Sequence, residues 1–510
     1  MSTAIGFDNR KYLEEQSAEI LRRCDLSGNK LYLEFGGKLM YDYHATRVLP
    51  GYDPNVKLRL LQRLKEKAEI IICIYAGDIE RKKMRADFGI SYESDAMKLI
   101  DDLRSWDLSV CGVVITRFEG QPAAVQFKTK LERRGVKVYC HSTVPGYPNN
   151  IDLIVSDRGY GGNEYVPTSR PIVVVTGPGP GSGKLATCLT MLYHDRRAGR
   201  PAGYAKFETF PVWNLPLKHP VNIAYEAATA DLHDINMIDP FHLEAHGAVA
   251  VNYNRDVESF PILKAIWDRI DTENKCPYQS PTDMGVNRIG FGIVDDALVR
   301  EASRQEILRR YFRHLCDATL NGLTDTRAID RIETLMQELG LSPEDRPVVG
   351  PAREAAQEAA CTHMHEKHIH CGAAIRLHDG RIVKGKNSNM LHAASSTILN
   401  ALKTVAGIDD ETHLLAPAVV SSIVNMKHEI LKSRYSSLNL DETLIGLAIS
   451  AAGSGTESAR KALEALPQLR ECEMHLSHLL TPGDEAGLRR LGIRYTTDPI
   501  FSTSELFIDG

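Results

Sequence analysis

Ile172-Val173-Val174-Val175-Thr176-Gly177-Pro178-Gly179-Pro180-Gly181-Ser182-Gly183-Lys184 is the stretch on which the fold turns. Five strand-forming residues run into a glycine-rich loop ending in Gly-Lys, and the next residues, 185–193, read as a helix. Strand, glycine loop, lysine and helix is the arrangement by which a parallel sheet holds phosphate: loop N–H groups, the helix N-terminus and an ammonium converge on one anion. The expected phosphate-binding residues are therefore Gly177, Gly179, Gly181, Ser182, Gly183 and Lys184, with Thr187 one turn further on. The pattern departs from the P-loop G-x-x-x-x-G-K-[ST]. Pro178 stands where the first glycine belongs, and Leu185 where a Mg²⁺-binding hydroxyl belongs. Pro178 and Pro180 have no N–H to offer. Simple phosphate binding is thus better supported than hydrolysis of ATP or GTP. The competing account is a tight strand-to-helix turn with an exposed lysine.

Outward from this loop, residues 1–221 read as a Rossmann-like or P-loop-like α/β domain. Strands are expected at 30–35, 70–76, 110–116, 136–140, 151–156, 172–176 and 203–207, and helices at 11–24, 55–67, 94–105, 122–134 and 185–197. The alternation predicts a mostly parallel sheet covered on both faces. Ligands in such sheets bind beyond the carboxyl ends of the strands. That rule selects Asp78, Arg117, His141, Asp157, the 177–184 loop and Glu208. Lys184, Asp157 and Glu208 are the candidate catalytic residues, and Asp157, ending an apolar run, is the candidate Mg²⁺ ligand. Turn or cap roles are the commoner use of such aspartates. Lys206 and Lys218 are further cations that could face phosphate.

Residues 222–350 read as a helix-rich middle region, with its clearest helices at 297–320 and 328–339. Two polar segments in it, 249–256 and 280–287, are secondary site candidates. Residues 351–510 read as a C-terminal α/β domain, opening with a hairpin at 373–377 and 381–384 and a long helix over 392–405. The cluster Cys361-Thr362-His363-Met364-His365-Glu366-Lys367-His368-Ile369-His370-Cys371 is dense in metal-ligating types, but its spacing matches no standard zinc module.

With 510 residues, several domains are expected. A formal net charge of −5 argues against a general nucleic-acid binder or a polybasic membrane protein. No apolar run is long enough for a membrane span, the first residues lack the apolar core of a signal peptide, and the 10 cysteines show no C-x-x-C pairing. The expectation is a cytoplasmic, homo-oligomeric protein with reduced thiols.

The whole chain resembles a bacterial family known as domain of unknown function 1846. The resemblance is carried by segments 33–39, 47–54, 85–90, 178–184, 206–211, 215–220, 237–244 and 280–287. Some relatives are labelled ATP-dependent peptidases, a label this sequence does not support, since it has neither H-E-x-x-H nor G-x-S-x-G. The C-terminal part is similar to a cytidine-deaminase-type fold in which only His392 survives. Ala394 replaces the proton-shuttling Glu, and Ala418 and Ser421 replace zinc cysteines, so the resemblance implies a scaffold or repurposed site. Three functional expectations stand side by side. One is phosphoryl transfer or NTP hydrolysis with ATP or GTP and Mg²⁺. The second is a non-catalytic nucleotide- or phosphometabolite-sensing scaffold. The third is an enzyme acting on a phosphorylated small molecule without an NTP.

Overall fold

The computed structural model describes residues 5–85, 89–271, 275–322, 326–362, 369–433, 436–453 and 457–503. The chain forms two compact units, Met1–Arg304 and Gln305–Gly510, and the boundary falls inside one long helix, Asp296–Asn321. The helix-rich stretch 222–350 is thereby divided between them.

The first unit is built on a six-stranded parallel sheet: β1 (Leu31–Phe35), β2 (Ala68–Tyr75), β3 (Val110–Thr116), β4 (Val138–His141), β5 (Ile172–Thr176) and β6 (Gly203–Phe207), in the order β4-β3-β2-β5-β1-β6. β5 is an inner strand. Ile172 pairs with Leu31 on one side and Ala68 on the other. Every residue of β5 and of β1 is buried, as continuous apolar runs require when helices cover both faces. One polar intrusion into this core, Glu34 on β1, accepts from the Tyr204 hydroxyl at 2.8 Å. Phe35 and Phe207 stack across the β1–β6 ends with ring centroids 4.1 Å apart.

One predicted strand is absent. Residues Ile151–Ile154 form a short helix, capped by the Asn150 side chain on the Leu153 N–H. The apolar run at 151–155 is short enough for either period, and the polar cap decides for the helix.

The chain leaves β2 toward β3 on one side of the sheet and leaves β5 toward β6 on the other. The carboxyl ends of β2 and β5 therefore form the topological switch point where such sheets open a crevice. The glycine loop lies there, followed by α1 (Lys184–Arg197), which is buried on most of its surface. Beyond the sheet edge, an antiparallel pair, β7 (Asn236–Ile238) and β8 (Val251–Tyr253), carries three helices around it: α2 (Pro240–His246), α3 (Asn254–Ile270) and α4 (Pro281–Met284).

The second unit holds a four-stranded sheet of β9 (Gly372–Arg376), β10 (Ile382–Lys386), β11 (Glu473–Leu476) and β12 (Arg494–Thr497), in the order β10-β9-β11-β12. The expected hairpin is present, and the helix Ala393–Ala406 follows it. Its core includes Ile375, Ile398, Leu402, Leu447, Met474 and Leu488. Of the His/Cys cluster, His363, His365 and His368 lie outside the described residues, while Cys361 is exposed and Cys371 buried. Among the described residues, no helix is long and apolar enough to cross a membrane.

Candidate functional site

The 177–184 loop is held from beneath by the sheet. A Cβ at Gly177 would lie 2.4 Å from the Cys73 carbonyl oxygen and 2.6 Å from Ser182 Oγ, so only glycine lets the loop start this close to β2. Gly183 has φ +91° and lies against the Thr116 side chain, whose hydroxyl donates to the Ser182 carbonyl at 2.8 Å. The Arg117 guanidinium stacks 3.4 Å from the Tyr75 ring centroid and hydrogen-bonds the Gly181 carbonyl. Lys184 Nζ folds back to 3.5 Å from the Gly179 carbonyl. Among the described residues, two groups at the loop are left without a side-chain partner. No side chain caps the N-terminus of the fourteen-residue α1, and the Ser182 hydroxyl is buried with no hydrogen-bond partner. An unsatisfied buried hydroxyl costs about 1–3 kcal/mol.

The remaining predicted residues scatter. Thr187 is fully buried against β2, where its Oγ1 accepts from the Cys73 thiol at 3.4 Å. Asp157 does not sit at a strand end, because the strand expected before it is helical. It is largely exposed, accepts from the Tyr193 hydroxyl at 2.9 Å and pairs with Arg197 at 3.3 Å. Tyr193 lies nine residues along α1 from Lys184, about 14 Å by helical rise, so Asp157 does not reach the loop. Asp78 is buried against Arg81, and His141 is kept neutral by burial, which lowers its pKa to about 4.

Glu208 belongs to a second cluster, at the end of β6. Lys206 Nζ contacts both oxygens of Asp256, at 2.6 and 2.5 Å, and Glu208 Oε1 at 3.1 Å. The Tyr253 hydroxyl donates to Glu208 at 2.8 Å. One ammonium thus serves two carboxylates. Burial raises the Glu208 pKa to about 7, against the pull of Lys206 and with the push of Asp256. The same carboxylates hold Lys206 firmly charged.

Lys206, Glu208 and Asp256 line a cavity of about 220 Å³. Three segments singled out from the sequence, 206–211, 249–256 and 280–287, converge on it, through Glu208, Asn252 and Thr282 among others. One wall is cationic. Glu19 binds Arg22 at 2.7 Å, Arg23 at 2.9 Å and Arg288 at 2.8 Å, three guanidinium groups on one carboxylate. Glu19 is accordingly held down to about 2, its partners outweighing the upward effect of burial.

His242 on α2 and Asp283 on α4 also line the cavity, and His246 lies one turn along α2 from His242, outside the lining. Asp283 Oδ1 lies 3.5 Å from His242 Nδ1, and both Asp283 oxygens lie 3.0 Å from His246 Nε2. Burial would raise the Asp283 pKa, but the His246 hydrogen bond, the Gln279 N–H and the two imidazoles lower it overall. Asp239, fully buried, fixes both helices at once. One oxygen accepts from the N–H groups of Phe241 and His242, and the other from the Thr282 N–H and hydroxyl. The sequence reading passed over His242 and His246 as site residues, though their i,i+4 spacing on a short helix signals a shared face. It could not find Arg22, Arg23 or Arg288, which are ordinary charged surface types until the fold gathers them.

The loop and the cavity lie on the same carboxyl edge of the sheet. β1 alone separates β5 from β6, so the two strand ends are roughly 10 Å apart.

The family described as "Domain of unknown function DUF1846, N-terminal" matches residues 5–340, and that described as "Domain of unknown function DUF1846, C-terminal" matches residues 344–507. The chain is 54% identical over 503 residues to proteins named UPF0371 from Clostridium tetani and from Clostridium botulinum strain Eklund 17B, covering 99% of this chain and 99% of each relative. With both family domains matched in order along nearly its full length, the chain belongs to the DUF1846 family.

Proposed function

We propose that this protein binds a phosphorylated small molecule or nucleotide at the 177–184 loop, in the cytoplasm. The observation that carries the proposal is an uncapped helix N-terminus at the switch point, preceded by a buried Ser182 hydroxyl with no protein partner. The helix N–H groups beside Lys184 are the donors an incoming phosphate oxygen would meet, and Ser182 Oγ, enclosed against Gly177, is a further donor next to them in the chain.

Binding is favoured over phosphoryl transfer from an NTP. Transfer requires a Mg²⁺ ligand set beside the lysine. Leu185 has no hydroxyl, the Thr187 hydroxyl is committed to β2, and Asp157 is a helix length away. The sensing and phosphometabolite readings therefore rank above an NTPase, with the nearby cavity available for the rest of the ligand. A homo-oligomer belongs to the same proposal, supported by Ile430, Leu431, Ile445 and Ile449, apolar side chains left in solvent on the second unit.

A thermal-shift screen of nucleotides and phosphometabolites, with and without Mg²⁺, tests the assignment. Ligand at about 100 times its Kd stabilises the fold by about 2.7 kcal/mol. The shift is expected to vanish in Lys184→Ala. A shift retained in that variant, or none with any phosphate compound, would leave the loop as a structural turn.

A further inference from the structure

We infer that His242, His246 and Asp283 form a binding site for a divalent transition-metal ion of the zinc, cobalt or manganese class, with at least one coordination position open to the adjoining cavity. The inference stands independently of the glycine loop.

The first support is distance. Ligand atoms of the three residues all lie within 4.8 Å of one another, and the two contacts to Asp283 span 3.0 and 3.5 Å. Metal–nitrogen and metal–oxygen bonds of about 2.0–2.2 Å place neighbouring donors about 2.9–3.5 Å apart in tetrahedral or octahedral geometry. The two contacts to Asp283 already fall in this range, and the separation between the two histidine donors, within 4.8 Å, would shorten on binding.

The second support is the donor set. Two imidazoles and one carboxylate suit zinc and its neighbours, whereas Mg²⁺ and Ca²⁺ call for oxygen ligands throughout. Three protein ligands leave a position for water or a ligand oxygen, the pattern of sites that act on substrates.

The third support is the shell around the donors. Asp283 also accepts from the Gln279 and Ser280 N–H groups, each at 3.1 Å, which fixes its carboxylate. Ser280 Oγ, 3.1 Å from His242 Nδ1, is the partner that an ion at this nitrogen would displace. Asp239 ties α2 to α4, so the helix bearing the histidines and the helix bearing the carboxylate move as one. A metal site needs this kind of outer support. A bare His–Asp ion pair between exposed groups would not explain a fully buried aspartate spanning both helices.

His242 and Asp283 line the cavity that Glu208 and the Glu19–arginine cluster also line. The cluster carries two more positive charges than negative, counting Arg22, Arg23 and Arg288 against Glu19. The whole lining balances four cations (Arg22, Arg23, Arg288, Lys206) against four carboxylates (Glu19, Glu208, Asp256, Asp283), so the positive excess is local to the arginines. The chemical class that suits this arrangement is a ligand that presents an oxygen to the metal and an anionic group to the arginines. Glu208, poised to exchange a proton near neutrality, is the acid–base group within the same space.

The test uses full-length protein in which His363, His365, His368 and His370 are replaced by Ala, so that the separate histidine-rich segment captures no metal. The protein is stripped with chelator and titrated with Co²⁺, followed by visible absorption, then by Zn²⁺ competition. The expected result is one equivalent of Co²⁺ with ligand-field bands that Zn²⁺ abolishes. His242→Ala and His246→Ala are each expected to weaken binding by at least roughly a hundredfold. His246 is partly exposed, so its variant keeps the fold, as checked by circular dichroism; it carries the test where Asp283→Ala is destabilised by loss of its cap. Absence of saturable binding, unchanged binding in both histidine variants, or preference for Mg²⁺ over Zn²⁺ would each overturn the assignment. Loss of metal binding leaves Lys184-dependent phosphate binding intact, so the two proposals fail separately.

Discussion

Gly183 sits at φ +91° with its Cα against Thr116, where a methyl group would come within 2.7–2.8 Å of that side chain. Gly183→Ala therefore combines left-handed strain with a clash, and is expected to lower stability by about 1–3 kcal/mol, measured by urea denaturation. At Glu208 the chemistry is electrostatic. Its folded pKa of about 7 lies above the ordinary value of 4.5. Below that ordinary value both folded and unfolded chains hold the proton. As pH rises from 4.5 toward 7 the unfolded chain releases its proton first, so stability falls across this window and levels off above it. Glu208→Gln removes the titration. It is expected to be more stable relative to wild type at pH 8 than at pH 5, by roughly 1–3 kcal/mol. Equal differences at both pH values would show that Lys206 fully compensates the carboxylate.

At the scale of elements, α2 and α4 are short, and neither would hold a position alone. Asp239 supplies what they lack. Its carboxylate takes four donors, two from each helix. Asp239→Ala leaves these donors unsatisfied in a buried place, and a loss of about 1–3 kcal/mol is expected. The same change should weaken Co²⁺ binding although Asp239 is not a ligand, because the two helices no longer share a register. Asp239→Asn, which keeps an acceptor for α2, should fall between wild type and Ala in both measurements.

For the whole molecule, the family boundary near residue 340 and the compact-unit boundary at Arg304/Gln305 differ, and the difference has a physical basis. Residues 305–340 pack into the second unit. Phe312 is buried with its ring 4.8 Å from that of His475, and the Cys316 thiol lies 3.2 Å from the Thr497 carbonyl. A fragment covering 296–510 keeps the helix whole and is expected to unfold cooperatively in urea. A fragment covering 344–510 loses the buried phenylalanine and should be weaker by about 3–5 kcal/mol or fail to fold. Comparable midpoints for the two would place the structural boundary where the family boundary lies.

Sequence by itself determined the parallel α/β class, six of its strands and the glycine loop at the end of β5. These follow from local rules: β-branched runs make buried strands, and glycines permit the loop's backbone. It also marked Glu208 as lying just beyond a strand end, and the 249–256 and 280–287 segments as polar at unusual density. What it could not settle was which segments meet. The run before Asp157 was compatible with strand or helix, and a single capping asparagine decided it, carrying Asp157 away from the loop. Only the tertiary structure decided the cavity, because its walls come from the N-terminal helix Asn9–Leu26, β6, α2, α3, α4 and Arg288, separated by up to about 270 positions along the chain. Backbone preference is encoded within a few residues, whereas convergence of charges depends on the packing of elements whose sequences carry no record of one another.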